Sequence, residues 1–180
     1  MRLSGEGGQG LVLAGKIMAE AAAIYEGINA TQSQSYGPEA RGGASRSEVI
    51  LSDDDIDFPK AVNLDLLLAL TQEACNRYLE DLKPSGILVI DSEAVVKIPE
   101  GPWKVWRAPV IESARDKVGR EIVANIIALG IITRVAAVVS EESVRQAILS
   151  RVPKGTEDIN LKAFEVGLAM ADEMSATTGS

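Results

Sequence analysis

Short apolar runs alternate along the chain with segments of helical spacing. Residues 86–91 (Gly-Ile-Leu-Val-Ile-Asp) and residues 64–70, which are apolar except for Asp65, are continuous runs typical of strands buried on both faces of a sheet. Residues 71–82 lie between them, have helical spacing and end near Pro84 and Gly86. Residues 64–91 therefore predict a β-α-β unit, whose two strands are parallel.

The same alternation extends over the whole chain. Residues 1–4 leave room for only a short first strand, followed by a helix over residues 10–24. Further strands are predicted at residues 46–51 and 103–107, and further helices at residues 113–129, 141–149 and 156–174. We therefore expect one α/β domain over residues 1–174, an open, mainly parallel, Rossmann-like sheet with helices on both faces. Residues 175–180 are expected to form a disordered tail.

Composition excludes several kinds of chemistry. The 180 residues include no histidine and a single cysteine, Cys75, so the chain lacks a histidine relay, an internal disulfide and the thiolates of an iron–sulfur cluster. We expect no catalytic residue and no metal site in this chain. A formal charge of −8 argues against nucleic-acid binding, and no apolar stretch is long enough for a membrane span. A cytoplasmic location is expected.

A glycine-rich loop precedes the first helix. Gly5-Glu6-Gly7-Gly8-Gln9-Gly10 fits the spacing of a phosphate-binding turn, in which glycines allow close approach and the helix N-terminus attracts an anion. A dinucleotide site also needs an acidic residue about 20 positions further on, but Asn29 to Gln32 occupy that region and Glu26 comes too early. NAD is therefore disfavoured and another phosphate-bearing ligand favoured. The alternative is a tight turn needed only for packing.

A long polar loop over residues 33–46 is the second candidate site. Tyr36 offers a stacking face and Arg41 a guanidinium suited to phosphate or carboxylate, while Gly-Pro and Gly-Gly pairs make the loop irregular. A solvated connection is the alternative interpretation. The acidic run of residues 53–57 lacks the glycine and glutamate of a calcium loop and is predicted to be a solvated turn. Cys75, with no histidine or second cysteine nearby, is predicted to be a buried core side chain.

Together these segments resemble a known family. The glycine loop running into residues 11–16, the stretch over residues 35–50 and the Asn-Ile-Ile-Ala-Leu-Gly pattern of residues 125–130 resemble the gamma subunit of 2-oxoacid:ferredoxin oxidoreductases. The polar loop is most similar to the 2-oxoglutarate type. The resemblance implies an enzyme that oxidatively decarboxylates a 2-oxoacid to an acyl-coenzyme A and passes electrons to ferredoxin.

The resemblance also implies a division of labour. Thiamine diphosphate, magnesium and the iron–sulfur clusters are expected in alpha, beta and, where present, ferredoxin-like delta subunits, and this chain alone is expected to be inactive. It is expected to assemble with them through the polar loop and the apolar end of the helix over residues 113–129. Its implied contacts with coenzyme A are Gly5, Glu6, Gly7, Gly8, Gln9, Gly10, Lys16, Tyr36, Arg41, Gly42 and Gly43.

Two alternatives stay open from the sequence. One is a free-standing nucleotide-binding oxidoreductase, and the other is a purely structural subunit that binds no ligand. Homodimerisation outside the complex is also left open.

Overall fold

A computed structural model describes residues 1–35, 44–58 and 60–178, with side chains to Met174. Its centre is a six-stranded sheet in the order β2-β3-β1-β4-β5-β6. The strands are β1 (Arg2–Glu6), β2 (Asn29–Ser35), β3 (Ala44–Ser52), β4 (Leu64–Ala69), β5 (Leu82–Asp91) and β6 (Lys104–Ala108). The helices are α1 (Leu11–Glu20), α2 (Gln72–Tyr78), α3 (Val110–Ser113), α4 (Ala124–Ala136), α5 (Glu141–Arg151) and α6 (Glu157–Thr178).

The predicted mainly parallel α/β sheet is confirmed. β1, β4, β5 and β6 are parallel neighbours, while β3 runs antiparallel to both β1 and β2. The β4-α2-β5 unit is the β-α-β unit expected from the two apolar runs. Alternate residues of β4 enter different cores, Leu66 and Leu68 on one face and Leu67 and Ala69 on the other, which explains the continuous apolar pattern.

Several predicted boundaries are wrong. The first strand is not stunted, because Gly5 and Glu6 continue β1 to five residues. The helix predicted to reach residue 82 ends at Tyr78, followed by a 3-10 turn, and β5 begins at Leu82 and includes Pro84.

The helix predicted over residues 113–129 is also wrong. α3 continues as a π-helical turn to Val118, and Gly119 then adopts a positive φ of 91°. Arg120 is extended, and α4 begins only at Ala124. The single apparent helix is therefore two, separated by a turn beside the glycine loop.

The apolar end of that segment is not the expected partner surface. Residues Ala124 to Thr133 of α4 are all buried within this chain. A Cβ on Gly130 would lie 3.0 Å from the Cα of Gly167 in α6 and against the Phe164 carbonyl, and a Cβ on Gly167 would lie 3.0 Å from the Gly130 Cα. The backbones of α4 and α6 are thus in direct contact, and α6 covers the apolar surface that a partner subunit was expected to cover.

Helices lie on both faces of the sheet, but unequally. α1, α3, α4, α5 and α6 form one layer around the larger core, whereas α2 alone packs on the other face. Trp103 and Trp106 join different cores, so their side chains lie on opposite faces of the sheet. Across the described ranges, every helix is too short or too polar to cross a membrane. The backbone of α6 continues to Thr178, past the predicted start of the tail at Ser175, and the disorder expected of that tail stays a prediction.

Candidate functional site

The glycine loop connects the carboxyl end of β1 to the start of α1. The Glu6 N–H donates to Gln9 Oε1 at 2.7 Å, and the Gln9 N–H donates to the Glu6 carbonyl at 3.3 Å. These two bonds close the turn, so the backbone donors of Glu6 and Gln9 are already occupied. The Glu6 side chain is exposed.

The four glycines fall into two groups. A Cβ on Gly5 would lie 3.2 Å from Leu70 Cβ and 3.3 Å from Leu11 Cδ1, so Gly5 allows the strand and helix to pack closely. Gly10 has a φ of 72°, and a Cβ there would lie 2.5 Å from Asn125 Nδ2. In contrast, a Cβ on Gly7 or Gly8 would meet no described residue within 4 Å, although Gly8 also adopts a φ of 95° that favours glycine. Gly5 and Gly10 therefore serve packing, and Gly7 and Gly8 leave space against which a ligand can lie.

Asn125 fixes the far end of the loop. It is 3% exposed, and its Nδ2 donates to the Gly10 carbonyl at 3.0 Å, a contact between residues 115 positions apart. The Gly10 carbonyl also accepts the Ala14 N–H at 3.1 Å. Asn125 is the only polar residue in the run from Ile122 to Ile132, and that interruption was a signal that its side chain has a specific partner.

The N-terminus of α1 is open to an anion. Gly10 provides no side-chain cap, and the first turn of α1 carries no acidic residue. The N–H groups and the positive end of the helix dipole thus face the loop without a neutralising carboxylate from α1. Lys16 is exposed and lies on the next turn of α1, with no ion-pair partner among the residues described.

A second cation near the loop was missed by sequence reasoning. A cavity of about 220 Å³ adjoins Gly10 and is lined by Leu13, Arg120, Ile122 and Asn125, among others. Arg120 is exposed, and Ile122 is 66% exposed. The turn that interrupts the predicted long helix places both side chains there, so a continuous helix could not have revealed them.

The polar loop ends at the same edge of the sheet as the glycine loop. Ala44 pairs with Glu6, and Ser35 pairs with Arg46. Tyr36, Arg41, Gly42 and Gly43 lie outside the described residues, so their predicted contacts stay predictions.

The remaining candidate groups lie away from this loop. Cys75 is buried, which confirms the expected core cysteine. Its burial raises the pKa of the thiol. Asp53, Asp54, Asp55 and Asp57 are exposed, as predicted for a solvated turn. At the opposite end of α1, the Ser140 N–H donates to Glu26, and this hydrogen bond lowers the pKa of that carboxyl. Within the described ranges, no three metal-ligating side chains come together.

An open glycine turn, an uncapped helix N-terminus and nearby cations can hold a phosphate-bearing ligand but supply no nucleophile or general base. Residues 1–170 match the family model described as pyruvate ferredoxin/flavodoxin oxidoreductase. The chain belongs to this family.

Individual relatives define the type of subunit. The chain is 48% identical to 2-oxoglutarate synthase subunit KorC of Methanocaldococcus jannaschii, over 97% of this chain and 94% of that protein. It is 55% identical in sequence to a keto/oxoacid ferredoxin oxidoreductase gamma subunit from Geobacter sulfurreducens. The crystal structure of that subunit matches with a TM-score of 0.87, over 94% of this chain and 96% of that one. The chain is thus an oxidoreductase subunit of the gamma type.

The same fold also occurs within a longer chain. A 2-oxoglutarate:ferredoxin oxidoreductase from Magnetococcus marinus, with 2-oxoglutarate, coenzyme A and succinyl-CoA bound, is similar in fold with a TM-score of 0.83 at 22% identity. The similarity covers 96% of this chain and 30% of that one.

Proposed function

We propose that this chain is the gamma subunit of a 2-oxoglutarate:ferredoxin oxidoreductase and that it helps to bind coenzyme A. The complex would oxidatively decarboxylate the 2-oxoacid to an acyl-coenzyme A and pass electrons to ferredoxin. The 2-oxoglutarate type is supported by identities of 40–48% to four archaeal 2-oxoglutarate synthase subunits. The single cysteine suits a reducing, cytoplasmic location.

The redox chemistry must come from other subunits. Iron–sulfur clusters need about four cysteine ligands, and this chain has one cysteine, which is buried. We assign thiamine diphosphate, its magnesium ion and the clusters to the alpha, beta and delta subunits. This chain contributes binding and positioning.

The observation that carries the coenzyme A assignment is the open space at Gly7 and Gly8 beside the uncapped start of α1. Coenzyme A has a diphosphate and a 3′-phosphate, and helix N-terminal N–H groups favour such charges. Arg120 lines the cavity beside Gly10, Lys16 lies on the second turn of α1, and Arg41 is a third candidate outside the described residues. The cavity beside Gly10 offers an apolar wall to an uncharged part of the ligand.

Gly7→Val tests this assignment. A Cβ at this position meets no described residue within 4 Å, so the melting temperature should stay nearly unchanged. The same side chain would occupy the space proposed for the ligand, and the apparent KM for coenzyme A of the assembled enzyme should rise about tenfold or more. An unchanged KM would remove the loop from the coenzyme A site.

The two cations are tested with a matched control. Lys16→Ala and Arg120→Ala should each raise the KM for coenzyme A about tenfold, through loss of a charge-assisted contact of roughly 1.5 kcal/mol. Lys162→Ala removes another exposed helical lysine in the layer of α6 and should leave KM unchanged. Equal effects of all three would indicate a general charge effect.

Purification of the tagged chain from its host without oxygen tests the complex and its substrate. Larger subunits should co-purify, with coenzyme A-dependent viologen reduction that prefers 2-oxoglutarate over pyruvate and branched 2-oxoacids. Titration of the chain with coenzyme A, NAD and FAD separates the alternatives. Binding of NAD or FAD alone would favour a free-standing oxidoreductase. If no loop variant changes the coenzyme A kinetics of the assembled complex, the chain is better described as a structural subunit.

A further inference from the structure

One part of the sheet has no helical cover among the described residues. α2 packs over β1, β4 and part of β3 on the face opposite the five-helix layer. The side chains of β2 and the adjoining half of β3 on that face line a concavity instead. We call this concavity and its rim the β2–β3 face, defined by Ser33, Ser35, Arg46, Lys60 and Val62.

The β2–β3 face is extended. A cavity of about 490 Å³ over β2 and β3 adjoins a second of about 300 Å³ near Met1 and Phe58, and both are lined by Lys60, Ala61 and Val62. The two cavities together form a groove that is longer than a compact small molecule needs. Two adjoining cavities with shared lining residues suit an extended segment of polypeptide.

Positive charge is in excess in the cavity over β2 and β3, whereas the second cavity is also lined by Asp65, which pairs with Lys83. The Arg2 guanidinium, 4% exposed, is satisfied by Glu48 at 2.8 Å and by Asp81. Arg46 approaches Glu48 only through Nε at 3.6 Å, and Lys60 is exposed with no ion-pair partner in the described ranges. The free donors of Arg46 and Lys60 therefore favour a partner that carries carboxylates. This is notable because the net charge of −8 on the chain would otherwise repel such a partner.

Exposed apolar side chains lie at the outer end of the groove. Phe58 is 60% exposed and Val62 is 66% exposed, and both line the second cavity. Large apolar side chains that border a concave, charged surface are typical of a protein interface. A phosphate or a dicarboxylate would use the cations and leave these side chains in water.

We propose that the β2–β3 face binds a segment of another subunit of the complex, one that carries both acidic and apolar residues. This inference rests on the proposed assembly of the chain as a gamma subunit. The acidic residues would pair with Arg46 and Lys60, and the apolar ones would cover Val62 and Phe58.

The test is reconstitution of the full-length chain with purified cluster-bearing subunits of the same enzyme. Lys60→Glu combined with Val62→Asp alters two exposed side chains and should preserve folding, but it should weaken assembly by about tenfold or more. The control combines Lys162→Glu with Ile24→Asp, whose side chains are also exposed but lie in the five-helix layer. The control should assemble like the unmodified chain.

Each result bears on the inference in one direction. Selective loss of assembly in the first variant, with an unchanged melting temperature, supports the β2–β3 face. Equal assembly of both variants, or equal loss in both, overturns it. Stabilisation of the isolated chain by inorganic phosphate that Lys60→Glu abolishes, with assembly intact, overturns it in favour of a small-anion site. Failure of the unmodified chain to assemble would instead refute the proposed function.

Discussion

Replacement of Asn125 by alanine separates the positioning of the glycine loop from the stability of the chain. The Asn125 side chain is buried and donates one hydrogen bond to the Gly10 carbonyl at 3.0 Å. Asn125→Ala removes this bond, yet the Gly10 carbonyl keeps the Ala14 N–H as a donor. No buried acceptor is therefore left without a partner, and the loss stays near that of one hydrogen bond.

Loss of this hydrogen bond should change both the melting temperature and the apparent KM for coenzyme A. One net hydrogen bond contributes about 1 kcal/mol, which corresponds to a fall of about 2–4 °C in melting temperature for a chain of this size. If the same bond holds Gly10 in the conformation that binds coenzyme A, its removal lowers the competent fraction of loops by up to about fivefold. The apparent KM for coenzyme A should rise by that factor, while kcat stays unchanged.

The assay compares this variant with one that costs similar stability elsewhere. The Ser140 side chain caps α5 and accepts the Ser143 N–H at 3.1 Å. Ser140→Ala removes this cap and should also lower the free energy of unfolding by about 1 kcal/mol. Ser140 bonds to Glu26 beyond the far end of α1, so this control should not change KM. An unchanged KM for Asn125→Ala, despite a lower melting temperature, would refute the positioning role. Equal KM changes in both variants would assign the effect to lost stability.

Substitutions at three further positions test the fold. Gly130→Ala should lower the melting temperature by about 4–8 °C, because crowding against Gly167 outweighs a helix-propensity gain of about 1 kcal/mol; an unchanged value would show that α4 and α6 are not in close contact. Asp91 accepts three backbone N–H groups, including that of Ile111 at 2.9 Å, so Asp91→Ala should cost about 2–4 kcal/mol in chemical denaturation and Asp91→Asn about half as much. The hydrogen bond from the Ser140 N–H lowers the pKa of Glu26 in the folded chain, so its contribution to stability is present above the unfolded pKa and lost as pH falls through the folded pKa. Glu26→Gln should therefore melt below the unmodified chain at pH 7 and match it once the pH lies below the folded pKa. A difference in melting temperature that persists in strong acid would contradict this.

The sheet was predictable because its signals are local. Continuous apolar runs in β4 and β5 reflect burial on two faces, and the helix between them follows from short-range spacing. The glycine loop was also visible, since its residue types are dictated by backbone geometry at Gly5 and Gly10. These features need no information about distant parts of the chain.

What was missed depends on contacts between distant residues. The apolar end of the predicted long helix was assigned to a partner because the sequence does not show that Gly130 and Gly167 bring α4 against α6. Arg120 reaches the glycine loop only because Gly119 breaks the helix. The roles of the four glycines could likewise be separated only with neighbours such as Asn125 and Leu70 in place.

The Asn125–Gly10 hydrogen bond also has a consequence for the biosynthesis of this subunit. The loop leaves the ribosome 115 residues before its anchor in α4, and α4 is itself held by α6, which is made later still. Contacts so distant in sequence form late, because the intervening chain must be ordered first. The glycine loop thus reaches its final geometry only after α4 and α6 have been synthesised, and a subunit that lacks them would carry the glycine sequence without the loop conformation that Asn125 fixes.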